Sequence, residues 1–161
     1  MADWEYQKLI HNISHPPKSV IENEPTHLCF VYFLFDGEFV KIGIADEIIK
    51  RISEIQTSNA RKISLLAYKA FETRAWALYA EKELHSFFDL FRLNGEWFDI
   101  ADDERFEWIV RSKCFKSDVY KNARNGNTIE CSLSSLYQPK TIDTSEGIKK
   151  MMAFYSRSTV A

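Results

Sequence analysis

Five side chains stand out for the chemistry they could do: the phenol of Tyr32, the ammonium of Lys41, the guanidinium of Arg51, the carboxylate of Glu81 and the imidazole of His85. A guanidinium presents a planar fork of donors that matches a phosphate bidentately. A carboxylate offers the hard oxygen that Mg²⁺ or Mn²⁺ prefers, and one carboxylate completed by waters and phosphate is an ordinary Mg²⁺ shell. A phenol titrates near ~10 in water, so it acts as a base only beside a cation that favours the phenolate. Lys41 or Arg51 could be that cation, and Lys41 could instead face a phosphate directly. An imidazole can hold a water, touch a phosphate or complete a metal shell. Each residue also has an ordinary reading: Tyr32 as a half-buried strand residue, Lys41 and Arg51 as solvated surface charges, Glu81 as one of several helix glutamates, and His85 as a hydrogen-bonded structural histidine.

Those residues must be held by secondary structure. CFVYFLFDGEFVKIGIA places two apolar runs on either side of Asp36-Gly37. That is a strong hairpin signal, with strands over 29–35 and 39–44. Asp46 reads as an N-cap for a helix through about Gln56, with Ile48, Ile52 and Ile55 as its apolar face. KISLLAYKAF reads as a third strand. Thr73 opens a long helix whose buried stripe is Trp76, Ala80, Leu84 and Phe87/Phe88. Glu81 and His85 fall on one face of it, at i and i+4. LNGEWFDI is a turn and an extended piece, where Trp97 and Phe98 are expected to cover the sheet and Glu96 to fix a turn or pair with Arg51. DDERFEWIVRS is a helix with acidic residues in its first turn.

Around this β-β-α-β-α core, DWEYQKLIHNI reads as a short helix stopped by Pro16-Pro17. TIECSLSSL is strand or irregular, and DTSEGIKKMMAFYS is a terminal helix with Asp143 and Glu146 at capping-box spacing. The class is α+β: a small three-stranded antiparallel sheet flanked by helices. The expected division is an N-terminal extension over 1–25, a domain over 26–112 and a basic C-terminal extension over 113–161.

Composition limits the function classes. The 161 residues are 45% hydrophobic, enough for a sizeable core, and no apolar stretch is long enough to span a membrane. The N-terminus lacks the apolar run of a signal peptide. Three well-separated cysteines without a CxxC suggest free thiols in a reducing cytoplasm. The net charge of −2 is unevenly spread: −2 over 1–25, −5 over 26–110 and +5 over 111–161. A basic tail on an acidic domain is compatible with phosphate contact by the tail, or with a merely solubilising surface.

Taken in order, VYF at 31–33, KIGIA at 41–45, Arg51, AEKELHSFF and NGEWFDI give a chain that resembles the GIY-YIG nuclease superfamily, in its phage and bacterial branch with KIG, E-x-x-x-H and GEWF motifs. The resemblance covers about residues 28–112. It implies hydrolysis of a nucleic-acid phosphodiester, most readily DNA, with one divalent metal, Mg²⁺ or Mn²⁺, in a phage, mobile-element or defence setting. Under it, Tyr32, Lys41, Arg51 and His85 are the catalytic candidates and Glu81 the metal ligand. The sequence departs from the pattern where VYF replaces GIY and where Lys41 stands for a tyrosine. Two other readings compete with the nuclease. One is a non-catalytic module binding nucleic acid, a nucleotide or a protein; the other is a regulator that contacts a protein partner or a second copy through the C-terminal extension.

Overall fold

A computed structural model describes residues 3–22, 26–133, 136 and 152. The elements in chain order are α1 (Asp3–Ser14), α2 (Lys18–Ile21), β1 (Cys29–Phe35), β2 (Val40–Ala45), α3 (Ile48–Thr57), β3 (Ser64–Phe71), α4 (Arg74–Phe87), β4 (Arg92–Asn94), β5 (Trp97–Phe98), α5 (Glu104–Arg111), β6 (Val119–Lys121) and β7 (Thr128–Glu130). The terminal helix expected over 143–156 lies outside the described residues, apart from Met152.

The α+β class holds, but the sheet has five strands rather than three, in the order β3-β1-β2-β5-β4. The additional strands come from the GEWF region. Trp97 and Phe98 pair antiparallel with Lys41 and Val40, and β4 folds back on β5. The β1–β2 turn forms as the Asp-Gly predicts: the Asp36 carboxylate accepts from the Glu38 and Phe39 amides, and Gly37 takes a φ of +100°.

The sheet separates two cores. Cys29, Val31, Phe33 and Phe35 face α1, α4 and α5, with Val40 and Ile42 beside them. Phe30, Tyr32 and Leu34 face the other way, onto α3, Tyr68 and Tyr120. Alternation along β1 thus sends Tyr32 to the α3 side. The apolar stripe of α4 is Ala77, Ala80, Glu81, Leu84 and, just past its end, Phe88. This is helical spacing with a carboxylate among the hydrophobes, whereas Trp76 and Phe87 are only partly buried.

Thr73 caps α4 by accepting from the Trp76 amide, and Asp103 caps α5 through the Arg105 and Phe106 amides. Asp46 does not cap α3. The cap position is Glu47, whose side chain makes no capping bond, and the Ile48 amide instead donates to the Tyr120 hydroxyl. Asp46 turns outward to Arg74 and His27, 3.7 and 3.6 Å away.

The hairpin β6–β7 is a separate two-stranded sheet locked against β3. Tyr68 and Lys116 exchange backbone hydrogen bonds, the Ser132 amide donates to the Leu65 carbonyl, and the Tyr68 hydroxyl donates to the Val119 carbonyl. All three cysteines are free. No described helix is long and apolar enough to cross a membrane.

Candidate active site

Tyr32 on β1 pairs directly with Gly43 on β2. A Cβ built on Gly43 would lie 2.5 Å from the Tyr32 oxygen and 2.7 Å from Cζ. The phenol therefore lies flat across the Gly43 backbone, which only a residue without a side chain permits. The sequence signal for this was available: a glycine in a strand interior marks a close approach. Tyr32 is 1% exposed, yet it reaches the wall of a cleft of about 1130 Å³.

Arg51, at the second turn of α3, hydrogen-bonds to the Tyr32 hydroxyl and to Glu54 at 3.2 Å. Its positive charge favours the phenolate, but burial outweighs it, and nearby Glu96 and Glu81 push the same way as burial. The Tyr32 pKa is raised above its ordinary value. At neutral pH the group is a phenol. Its oxygen accepts from Arg51.

Glu81 enters the same cleft from α4. Its side chain is 9% exposed, and among the described residues no group donates a hydrogen bond to it. Burial first, then the charge of Glu96, pushes its pKa up to about 7, against weaker opposing pulls from Lys41, Arg74 and Lys82. A buried carboxylate that lacks donors and opens onto a cleft is poised for a cationic partner.

The cleft takes Tyr32, Arg51 and Glu81, but Lys41 and His85 are not in its lining. The Lys41 ammonium is ion-paired with Glu96 at 2.5 Å and sits 5.7 Å from the Trp97 ring centre. Glu96, expected to fix a turn or pair with Arg51, pairs with Lys41 and lines the cleft itself. Lys41 thus orients Glu96 and lends positive charge to Glu81. His85 packs its ring on Phe98, and its Nε2 donates to the Ile42 carbonyl at 2.9 Å. Burial lowers its pKa, which favours the neutral imidazole, and its Nε2 lies 4.0 Å from the Glu81 carboxylate.

The Lys41–Glu96 pair yields a stability prediction. Glu96→Ala strands an ammonium whose side chain is only 11% exposed. It is expected to cost about 1–3 kcal/mol, read as a lower urea midpoint at unchanged slope.

A T5orf172 domain profile matches residues 29–113, just over half of the chain. The chain belongs to the T5orf172 domain family. This corrects the GIY-YIG assignment: the motifs that suggested it lie within the matched segment, but the profile that matches is that of T5orf172, and no GIY-YIG match accompanies it. T5orf172 domains are nuclease-associated, and membership points to a nuclease-like or nucleic-acid-binding role. Comparison with curated proteins and with solved structures returned no significant match. Tyr32, Arg51, Glu81 and Glu96 all fall inside the T5orf172 segment, whereas Tyr120, Lys121 and Arg124, which line the same cleft, lie beyond it.

Proposed function

We propose that this T5orf172 protein is a metal-dependent endonuclease that hydrolyses nucleic-acid phosphodiesters, with DNA the favoured substrate. The observation that carries this reading is the convergence of a buried carboxylate without donors, a guanidinium and a phenol on one cleft.

The donor set fits a hard divalent ion such as Mg²⁺ or Mn²⁺. Among the described residues no cluster of three or more His, Cys, Asp or Glu could hold a metal. A softer ion that needs several protein ligands is therefore poorly served, while a single carboxylate suits an ion that keeps its waters and binds phosphate. Glu81 would hold it. Bound there, such an ion would supply positive charge that favours the ionised carboxylate and would polarise the phosphodiester.

The protein's own groups do the rest. Arg51 grips a non-bridging phosphate oxygen and offsets the negative charge that grows as water oxygen bonds to phosphorus and the P–O bond to the leaving alkoxide breaks. Tyr32, protonated at rest, donates to a phosphate oxygen. As a base it would act only in the fraction of molecules in which it is ionised beside Arg51, taking the proton of the attacking water, while the leaving alkoxide is protonated by solvent water. Glu96 is held by Lys41 where it can accept from a water.

The test is cleavage of plasmid and single-stranded DNA with Mg²⁺ or Mn²⁺. Wild type is expected to cleave, and Arg51→Ala to lose about a hundredfold or more in rate, the size expected for one preorganised donor to the transition state. No cleavage of any substrate by wild type would transfer support to the second reading, a non-catalytic nucleic-acid-binding module. That reading is favoured by Lys41 being committed to Glu96 and by the raised Tyr32 pKa.

A further inference from the structure

The cleft is not made by the family domain alone. Its far wall is β6 and the turn that follows, with Tyr120, Lys121, Asn122, Ala123 and Arg124 in the lining. The geometry points to β6–β7 as a phosphate-binding arm that holds the nucleic-acid backbone beside the Arg51–Glu81 site. This rests on the cleft being a nucleic-acid site, and it does not depend on cleavage there.

Three observations support the arm. First, its charge has one sign: the wall presents Lys121 and Arg124 with no acidic residue of its own in the lining, while α3 and the segment before it mix Asp46, Glu47 and Glu54 with Lys50 and Arg51. Phosphate neutralisation supplies most non-specific affinity for nucleic acid, and an acidic domain must find those cations somewhere.

Second, the arm is rigidly placed. Tyr120 stands edge-on to Tyr68 and Phe30, at 5.0 and 5.5 Å, and its hydroxyl accepts from the first turn of α3. The turn is fixed by the Asn122 carboxamide accepting from the Arg124 amide and by Gly126 at a φ of +64°. The backbone that carries the arm's cations is therefore tied to the sheet and to α3 on the side of the cleft.

Third, those cations are available. Arg124 touches Glu47 at 3.5 Å with its side chain 79% exposed, and among the described residues Lys121 has no ion pair. The Arg124–Glu47 contact is a weak surface pair that a phosphate can displace.

The test is fluorescence anisotropy of labelled DNA single strand, DNA duplex and RNA of one sequence, with EDTA so that nothing is cut. It uses the full chain as wild type, as Lys121→Glu/Arg124→Glu, and as Lys62→Glu, an exposed charge reversal away from the cleft. The double variant is expected to bind at least about tenfold more weakly. Its plot of log affinity against log salt should be shallower by about 1.4 for single strands and about 1.8 for duplex, the loss of two phosphate contacts. Lys62→Glu should match wild type. The DNA and RNA arms report which backbone the cleft prefers, and a loss on either supports the arm. A double variant that binds as wild type does, or a wild type that binds none of the three probes, overturns it. Cleavage is scored separately: a wild type that binds through the arm but never cuts removes the nuclease and leaves the arm standing. A double variant that binds as wild type does while wild type cuts removes the arm and leaves the nuclease.

Discussion

Glu81→Gln is expected to abolish metal-dependent cleavage while making the folded protein more stable at pH 8. The two effects share one cause. Glu81 occupies an apolar stripe position of α4, and burial there raises its pKa from the usual carboxylate range to about 7. A group whose folded pKa lies above its unfolded value stabilises the fold through its neutral form. That stability is fully present below the unfolded pKa, near 4.5, and is lost as pH rises through 7. The difference corresponds to about 3 kcal/mol. Wild type should therefore lose stability between about pH 4.5 and 7 and change little above that. The neutral glutamine should remove that slope and raise the melting temperature at pH 8, with little difference at pH 5.

The same carboxylate ties stability to metal. If Glu81 holds a divalent ion, Mg²⁺ or Mn²⁺ should raise the melting temperature of wild type at pH 8 and leave Glu81→Gln unchanged, because ligand that binds only the folded state stabilises it. The effect should weaken below pH 7, where a proton competes for the carboxylate. Loss of several kcal/mol of transition-state stabilisation corresponds to a rate decrease of about a thousandfold. Undiminished cleavage by Glu81→Gln would remove Glu81 from the site. A flat wild-type stability profile between pH 5 and 8 would show that its carboxylate is solvated rather than buried.

The local signals in the sequence hold where the structure they specify is local. Asp36-Gly37 makes its turn, and Thr73 and Asp103 cap their helices, because each side chain bonds to amides two or three residues away. Asp46 has the same credentials and fails, because Arg74 and His27 draw it outward and the Tyr120 hydroxyl, 72 residues further on, serves the Ile48 amide. Nothing near Asp46 in the sequence announces that partner. The strands β4 to β7 have two or three residues each, too short to show a period. Hence the sequence alone indicates three strands, and the second wall of the cleft shows in it only as a charge imbalance. In the site, the i, i+4 pairing of Glu81 and His85 was legible, but not its outcome. One side chain opens onto the cleft, and the other turns to a strand carbonyl one turn away. Lys41 is the same kind of case: its strand position was readable, its commitment to Glu96 was not.

Gly43→Ala is expected to cost about 1–3 kcal/mol of stability, the usual range for overpacking, and to cut activity sharply if Tyr32 is part of the site. The new methyl would meet the Tyr32 ring at 2.5–3.1 Å, closer than any unstrained contact. The ring cannot easily yield. It is 1% exposed, with Leu34, Ala45 and Ile48 in the same core cluster and Arg51 on its hydroxyl. Backbone strain is not the cause, since Gly43 is not among the glycines with positive φ. The cost comes from the tyrosine alone, and a double-mutant cycle isolates it. In a Tyr32→Ala background the clash has no partner, so adding Gly43→Ala should cost almost nothing, and the coupling should exceed about 1 kcal/mol. Urea denaturation of the four proteins measures it directly. Equal costs in both backgrounds would mean that the phenol does not lie across Gly43. Tyr32→Phe separates packing from chemistry. It keeps the ring over the glycine and should fold nearly as well as wild type, so any large loss of cleavage belongs to the hydroxyl that Arg51 holds.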